Sequence, residues 1–293
     1  MSKSFSNHCR SPTEGSNMKH IIFILSLLLL LAPSQIFAGQ VTDRIVKNKT
    51  LVVGTPGDFP PFTASTSTGR LIGLDIDLAK NLAGWLQVRI EFKQIEFSEL
   101  MPALEADKID MAMSGMTMTP LRNLRGAFIG PYALSGQSIL GKKAILEQAS
   151  TPEDLKKLTC CVAVLKGTTG EKMAENLLPD ANITSTSTLD ESLMLLLDGK
   201  VDAIVADYPF CRVAEFRYKD RGFAMFEEPL TFEPVGIAVS GKDPLFINLV
   251  ENYLSLMTGS DSLKQLQNKW FKSNDWMKEL PYLDFFRKLE KVK

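Results

Sequence analysis

Arg122 and Asp207 are two charged residues that come at or just after apolar, strand-like runs. Arg122 follows the run 109–113, and Asp207 directly follows the run 201–206. An arginine guanidinium binds a carboxylate through two parallel hydrogen bonds, and an aspartate accepts hydrogen bonds from an ammonium group. The two residues therefore predict a site for a small zwitterion.

Hydroxyl groups and helix N-termini support the part of this prediction that concerns the carboxylate of the zwitterion. Thr119 followed by Pro120 is typical of a helix N-terminus, so Arg122 is expected in a first turn, where free N–H groups favour an anion. Thr168 and Thr169 begin another expected helix and can donate to the same carboxylate.

The remaining strand ends offer partners for the rest of the ligand. The carbonyl of Ser114 can accept from the ammonium beside Asp207, and Phe59 and Phe97 can supply flat apolar walls. Carboxylate, ammonium and an apolar wall together describe a free α-amino acid. Each residue also has a structural alternative: Arg122 as a solvated helix charge, Asp207 and the threonines as N-caps, and the phenylalanines as core.

Histidine and cysteine usage excludes several kinds of chemistry. Both histidines, His8 and His20, precede residue 38, which excludes His-dependent triads and metal sites from the chain after the leader. Since the strand ends offer no general acid–base pair, we expect no enzyme, metal or cofactor. Cys160, Cys161 and Cys211 are expected to be buried free thiols, with a disulfide to Cys211 as the alternative.

Residues 18–38 have the pattern of a cleaved signal peptide within a leader of residues 1–38. Lys19 precedes an apolar run at 21–32, and Ala38 is a small residue suited to cleavage. The run is short for a membrane span, so an uncleaved anchor is the weaker alternative. We expect export from the cytoplasm as a soluble protein.

Composition indicates an ordinary globular protein. The chain has 293 residues, 45% of them hydrophobic and 23% charged, and a formal net charge of −1. This balance gives no electrostatic footprint for nucleic acid or an anionic membrane. The length allows one large domain or two smaller ones.

Strand-like and helix-like runs alternate, which predicts mostly parallel sheets covered by helices. The segment 104–113 resembles the segment 197–205, since each has a helix end, a turn and Lys-(Ile/Val)-Asp before a strand. This echo suggests two lobes of similar build. Strands are expected at 51–54, 88–92, 109–113, 162–165, 201–206 and 232–240, and helices at 73–86, 188–199, 245–257 and 262–271. A turn at 166–170 is expected to lead into a further helix that continues to residue 178.

Three stretches make the chain resemble the periplasmic solute-binding proteins of polar amino-acid ABC importers. They are Asp-Phe-Pro-Pro-Phe at 58–62 with Gly-Leu-Asp-Ile-Asp-Leu at 73–78, the segment 109–122, and Val-Asp-Ala-Ile-Val-Ala-Asp at 201–207. The similarity covers about residues 51–270. It implies an α/β fold of two lobes, each a mostly parallel sheet flanked by helices, joined by two crossover strands. Lobe 1 would contain 39–135 and 233–293, and lobe 2 would contain 136–232.

The resemblance also implies a role for each predicted site residue. The two phenylalanines would sandwich the ligand side chain, and the methionine would touch it. The arginine and the second-lobe threonines would hold the carboxylate, and the aspartate would hold the ammonium. The loop 114–117 would contact both groups. The implied ligand-binding residues are Phe59, Phe97, Ser114, Gly115, Met116, Thr117, Arg122, Thr168, Thr169 and Asp207.

Departures from the family pattern bear on specificity. Pro56 stands where members that bind basic amino acids have an acid, and Gly115 replaces a frequent serine. With Met116 and two phenylalanines nearby, a neutral side chain is expected. Glu233 either enters the cleft or caps the second crossing.

The resemblance implies that a monomeric periplasmic protein captures an amino acid between closing lobes and delivers it to a membrane permease. One alternative is a dehydratase resembling cyclohexadienyl dehydratase, which needs an added carboxylic acid in the cleft, with Glu233 as the candidate. Another is a ligand-sensing module on the same fold.

Overall fold

Strands and helices alternate along residues 39–149 and 152–283, which are the residues that this computed structural model describes. The strands are β1 (Thr50–Thr55), β2 (Asp58–Phe59), β3 (Thr63–Ser65), β4 (Leu71–Ile72), β5 (Arg89–Gln94), β6 (Met111–Ala112), β7 (Ala127–Ser135), β8 (Gln137–Lys142), β9 (Cys161–Leu165), β10 (Asn182–Thr186), β11 (Ala203–Asp207), β12 (Phe223–Met225) and β13 (Glu233–Val239). The helices are α1 (Gln40–Asn48), α2 (Leu74–Trp85), α3 (Leu100–Glu105), α4 (Pro120–Asn123), α5 (Lys143–Leu146), α6 (Pro152–Leu155), α7 (Thr169–Leu177), α8 (Leu189–Leu197), α9 (Tyr208–Arg217), α10 (Pro244–Gly259) and α11 (Ser262–Gln267).

Two five-stranded sheets form the centres of two lobes. The first sheet has the order β5-β1-β6-β13-β7, and the second has the order β10-β9-β11-β8-β12. Helix α2 covers the first sheet because Leu74, Leu78 and Leu82 recur at helical spacing and are buried. The predicted two-lobed α/β fold is confirmed.

Both sheets are mixed rather than mostly parallel. In the first sheet β1 pairs in parallel with β5 and β6, whereas β13 runs antiparallel to β6 and β7. In the second sheet β9 is parallel to β10 and β11, whereas β8 is antiparallel to β11 and β12. The exceptions involve β8 and β13, the strands by which the chain enters one lobe from the other.

The two crossings lie side by side at the junction of the lobes. Only Gly136 separates β7 from β8, and a Cβ atom there would lie 1.9 Å from the carbonyl oxygen of Thr231. Register pairs Ser135 with Glu233 in the first sheet and Gln137 with Asp207 in the second. The crossings therefore bring four polar side chains to the junction. The predicted lobe boundaries, at 135/136 and 232/233, stay a prediction.

The C-terminal segment, residues 275–283, spans both lobes. At its start the backbone carbonyl of Glu279 accepts a hydrogen bond from the N–H of Ser67, in the first lobe, at 2.9 Å. At its end the guanidinium of Arg217, on α9, donates to the carbonyls of Leu280 at 3.1 Å and Pro281 at 2.7 Å. The described part of the tail thus packs on both lobes.

Several predictions concern residues outside the described ranges. They are the predictions of a leader at residues 1–38 and of a signal peptide at residues 18–38 within it. Within the described ranges, no helix has both the length and the apolar character that a membrane span requires. Cys160 and Cys211 are buried free thiols, as predicted, whereas Cys161 is a free thiol that is only partly buried.

Candidate functional site

The loop after β6, residues 114–117, is a buried part of the first lobe. Gly115 has a φ of +61°, and a Cβ atom there would lie 2.8 Å from the rings of both Phe59 and Phe62. The backbone and the packing therefore both require glycine, which explains why the family's frequent serine is missing. The hydroxyl of Ser114 is buried and makes no hydrogen bond to the described part of the chain.

Asp75, in the first turn of α2, holds this loop in place through a hydrogen bond. Its Oδ2 accepts a hydrogen bond from the N–H of Gly115 at 2.7 Å. Burial raises the pKa of Asp75 to about 7, and the hydrogen bond from Gly115 opposes the shift. Because this carboxyl is fully buried, it positions the loop rather than meeting a ligand.

Arg122 extends across the cleft from α4, which begins as predicted with Thr119 as N-cap and Pro120 in the first turn. One guanidinium nitrogen donates to the carbonyl of Thr117 at 2.7 Å, and the other terminal nitrogen donates to Gly167 of the second lobe at 3.1 Å. The guanidinium also lies over the ring of Phe97, 5.3 Å from its centroid. These contacts hold it in place and leave further N–H groups for an anion.

The predicted apolar walls are buried at the junction. Phe59, Phe97 and Met116 are all buried. Phe59 packs against Phe62 of its own lobe and against Phe210 of α9, at centroid distances of 5.4 and 6.4 Å. These rings form an apolar contact between the lobes.

The two threonines at the start of α7 have different roles. The hydroxyl of Thr168 donates to the carbonyl of Leu165 at 2.7 Å and accepts from the N–H of Glu171 at 3.1 Å. Thr168 is therefore an N-cap, and its hydroxyl proton is already used. The hydroxyl of Thr169 points into the cleft, where it donates to Glu233 at 2.7 Å.

Asp207 ends β11 and turns its carboxylate into the cleft. It occupies the N-cap position of α9, yet its side chain makes no capping hydrogen bond. Instead it accepts from Ser135 at 2.9 Å and from Gln137 at 3.1 Å. Burial and then the charge of Glu233 raise the pKa of Asp207 to about 7, against the effects of Gln137, Ser135 and Arg122.

Glu233 also enters the cleft, which settles the alternative that the sequence leaves open. Its Oε2 accepts from the hydroxyls of Thr117 at 2.5 Å and Thr169 at 2.7 Å and from the amide of Gln137 at 3.2 Å. Its Oε1 accepts from Thr231 at 3.1 Å. Glu233 thus holds two hydroxyls, those of Thr117 and Thr169, that the resemblance assigns to a ligand.

Gln137, Ser135 and Thr231 are cleft residues that the sequence reasoning missed. All three lie on or beside the crossings, whereas ligand contacts were expected at the carboxyl ends of parallel strands. The signal that could have found Ser135 and Gln137 is the polar Ser-Gly-Gln run at 135–137, where the resemblance implies a crossing, and Thr231 has no such signal.

The lobes also meet away from the charged centre. Oδ2 of Asp58, on β2, accepts from the N–H of Leu189 at the start of α8, at 2.7 Å. This places a carboxylate at the positive end of a helix dipole in the opposite lobe. Burial, and then Asp58, raises the pKa of neighbouring Asp190 to about 7. With the bond from Arg122 to Gly167, these contacts describe a closed cleft.

A hydrogen-bond chain runs through this cleft from the positive to the negative group. It leads from Arg122 through Thr117, Glu233 and Gln137 to Asp207. Such a cleft suits a small ligand with two opposite charges, and the profile of the bacterial extracellular solute-binding proteins, family 3, matches residues 51–273. The chain belongs to this family. Membership of an extracellular family supports the predicted location outside the cytoplasm.

Several proteins of known name or structure resemble this one over most of its length. A "Probable amino-acid ABC transporter-binding protein" of Haemophilus influenzae is 27% identical over 87% of this chain and 98% of its own. Cyclohexadienyl dehydratase of Pseudomonas aeruginosa is 26% identical over 87% of this chain and 96% of its own. A crystal structure of an ancestral amino acid-binding protein, a precursor of cyclohexadienyl dehydratase, has a TM-score of 0.71 and 38% identity, covering 78% of this chain and 98% of that one.

Proposed function

We propose that this protein captures a free α-amino acid between its lobes and delivers it to the membrane permease of an ABC importer. The observation that carries the proposal is the arrangement of charge across one cleft. Arg122 extends from the first lobe, and Asp207 faces it from the second. A zwitterion that spans the cleft has both of its charges matched, which a buried ligand requires.

Capture is proposed to begin on the first lobe. Arg122 and the loop 114–117 form a carboxylate site there, in which the carbonyl of Thr117 holds the guanidinium, and the contact from Arg122 to Gly167 forms on closure. Closure then adds Thr169 and Asp207. Because only the closed form offers a partner to both ends of the ligand, binding shifts the population towards closure.

The proposed ligand has a neutral side chain. Phe59, Phe97 and Met116 are all buried at the junction, so a side chain there meets apolar surface. Pro56 provides no carboxylate for a basic group. Burying a charged side chain against such walls without a partner is unfavourable.

Export and delivery complete the proposal. A signal peptide at residues 18–38 is cleaved, the mature monomer works in the periplasm, and its closed outline is what the permease recognises. Support comes from the family itself and from the ABC transporter-binding protein of Haemophilus influenzae.

Calorimetry of the purified protein against all twenty amino acids tests the proposal. We expect at least one to bind, and Arg122→Ala to weaken that binding about 100-fold or more, because it removes one partner of a buried charge pair. Arg125→Ala is the matched control, since Arg125 pairs with Glu105 on the surface. Absence of binding, or binding that Arg122→Ala leaves unchanged, would overturn the proposal.

A dehydratase is the second candidate, and a specific observation favours it. The cleft contains two carboxyl groups, Asp207 and Glu233, and the pKa of Asp207 is raised to about 7. A carboxyl that keeps its proton near neutral pH is what protonation of a leaving group requires. Turnover of prephenate or arogenate that is lost both in Asp207→Asn and in Glu233→Gln would establish it. Amino-acid binding without turnover would exclude these reactions.

A further inference from the structure

Two buried carboxylates share one amide donor at the junction of the lobes. The Nε2 of Gln137 lies 3.1 Å from Oδ2 of Asp207 and 3.2 Å from Oε2 of Glu233. Both acidic residues are more than nine-tenths buried, with exposures of 7% and 6%. The two accepting oxygens are therefore within about 6 Å of each other, away from bulk water.

The groups around this pair do not neutralise both charges. The guanidinium of Arg122 faces the pair from α4, but its hydrogen bonds go to the carbonyls of Thr117 and Gly167. From α9 the pair is faced by the thiol of Cys211, which donates to the carbonyl of Ala206 at 3.6 Å. The remaining hydrogen bonds to Asp207 and Glu233 come from hydroxyl and amide donors.

Two like charges this close in a buried site favour a state with one proton between them. The raised pKa of Asp207, to which the charge of Glu233 contributes, agrees with that geometry. A second cation would remove the need for the proton. The ammonium of an amino acid is such a cation, and the site proposed for it adjoins Asp207.

We propose that Glu233 is a second carboxylate of the ammonium site, and that the ligand's ammonium replaces a proton that the nearby charge of Glu233 keeps on Asp207 in the empty cleft. This inference rests on the proposed function. The proton passes to solvent as the ammonium enters, so one positive charge replaces another at the two carboxyl groups, while the ligand's carboxylate is matched by Arg122. The cleft then takes protonated primary amines and rejects the hydroxy acid of the same shape.

Calorimetry of the wild-type protein in phosphate and in Tris measures the proton directly, because the two buffers differ in ionisation enthalpy. The probe is whichever of the twenty L-amino acids binds most tightly, and its 2-hydroxy acid is the matched compound. We expect proton release near pH 7 and affinity that rises about tenfold from pH 6 to pH 8, since a group that titrates near 7 is mostly protonated at the lower value. Equal heats in the two buffers near pH 7 would overturn the inference.

Glu233→Gln separates this inference from the proposed function. It removes the repulsion that favours the proton on Asp207. Proton release should therefore fall below half of the wild-type value, and the rise of affinity with pH should move to lower pH. Glu228→Gln, at an exposed position on the second crossing, should leave both unchanged. Unaltered proton release in Glu233→Gln would refute the role of Glu233 while leaving capture intact. Failure of every amino acid to bind would refute capture itself. If Glu233→Gln does not fold, the two-buffer measurement on the wild type decides.

Discussion

The two walls of the cleft are built in different ways. On the first lobe the loop 114–117 is held by Asp75, and the guanidinium of Arg122 is held by the carbonyl of Thr117 and the ring of Phe97. The other wall lies at the junction of the lobes, where Asp207 of the second sheet and Glu233 of the first share the amide of Gln137. The first wall is fixed before a ligand arrives, and the second brings together two buried carboxyl groups whose charges a proton or a cation must balance.

The difference suggests how binding is linked to closure. A fixed wall loses little entropy when it binds, so it suits the first encounter. The wall with two carboxyl groups holds a proton when it is closed and empty, and an arriving ammonium takes the place of that proton. The closed state is then stabilised most by the molecule that the cleft is proposed to carry.

Asp207→Asn tests the charged wall and should weaken binding more than a change at Gly115 or Asp58. The amide can still accept from Ser135, but the charge that faces the ammonium is lost. We expect affinity for the bound amino acid to fall about 30-fold or more, measured by calorimetry. Asp220→Asn, at an exposed position, is the control. Unchanged affinity would mean that Glu233 alone holds the ammonium.

Gly115→Ser tests the fixed wall. The new side chain would meet the rings of Phe59 and Phe62 at a φ of +61°, so we expect about 2 kcal/mol of lost stability in thermal unfolding, together with weaker binding. Gly84→Ser is the matched control, because a Cβ atom there meets nothing within 4 Å. A Gly115→Ser protein as stable as wild type would show that the loop is less tightly held than its contacts indicate.

Asp58→Ala tests closure away from both walls and should have the smallest effect. It removes the 2.7 Å hydrogen bond to Leu189 and the charge at the start of α8. We expect affinity about fivefold weaker, since an anion at a helix N-terminus contributes about 1 kcal/mol. Asp58→Asn keeps an acceptor and should weaken binding less. Equal affinity in all three proteins would exclude this contact from closure.

The sequence predicts one part of the site well because parallel strands direct their following loops to one edge of a sheet. This rule led to Arg122, Asp207 and the buried phenylalanines. The sequence leaves two roles open for Glu233, entry into the cleft or a cap on the second crossing, and it does not single out Gln137. Their direction into the cleft depends on the register of β8 and β13, which pairs residues about 70 and 98 positions apart along the chain.

Other differences have local causes. Thr168 was grouped with Thr169 as a carboxylate donor, yet a helix N-terminus has its own unsatisfied N–H groups, and the first hydroxyl serves them. The sheets were expected to be mostly parallel because strands and helices alternate. Alternation does not reveal that β8 and β13 enter each sheet from the opposite lobe.

The C-terminal segment gives the hinge a third attachment besides the two crossings. Glu279 is held by the first lobe through Ser67, and Leu280 and Pro281 are held by Arg217 of the second. Opening of the lobes must therefore bend the backbone near residue 280 or break the hydrogen bonds to one of the lobes. Position 283 consequently travels with α9 although it follows the first-lobe helices in sequence. A fluorophore attached there and another on exposed Lys80 of α2 would read out the angle between the lobes.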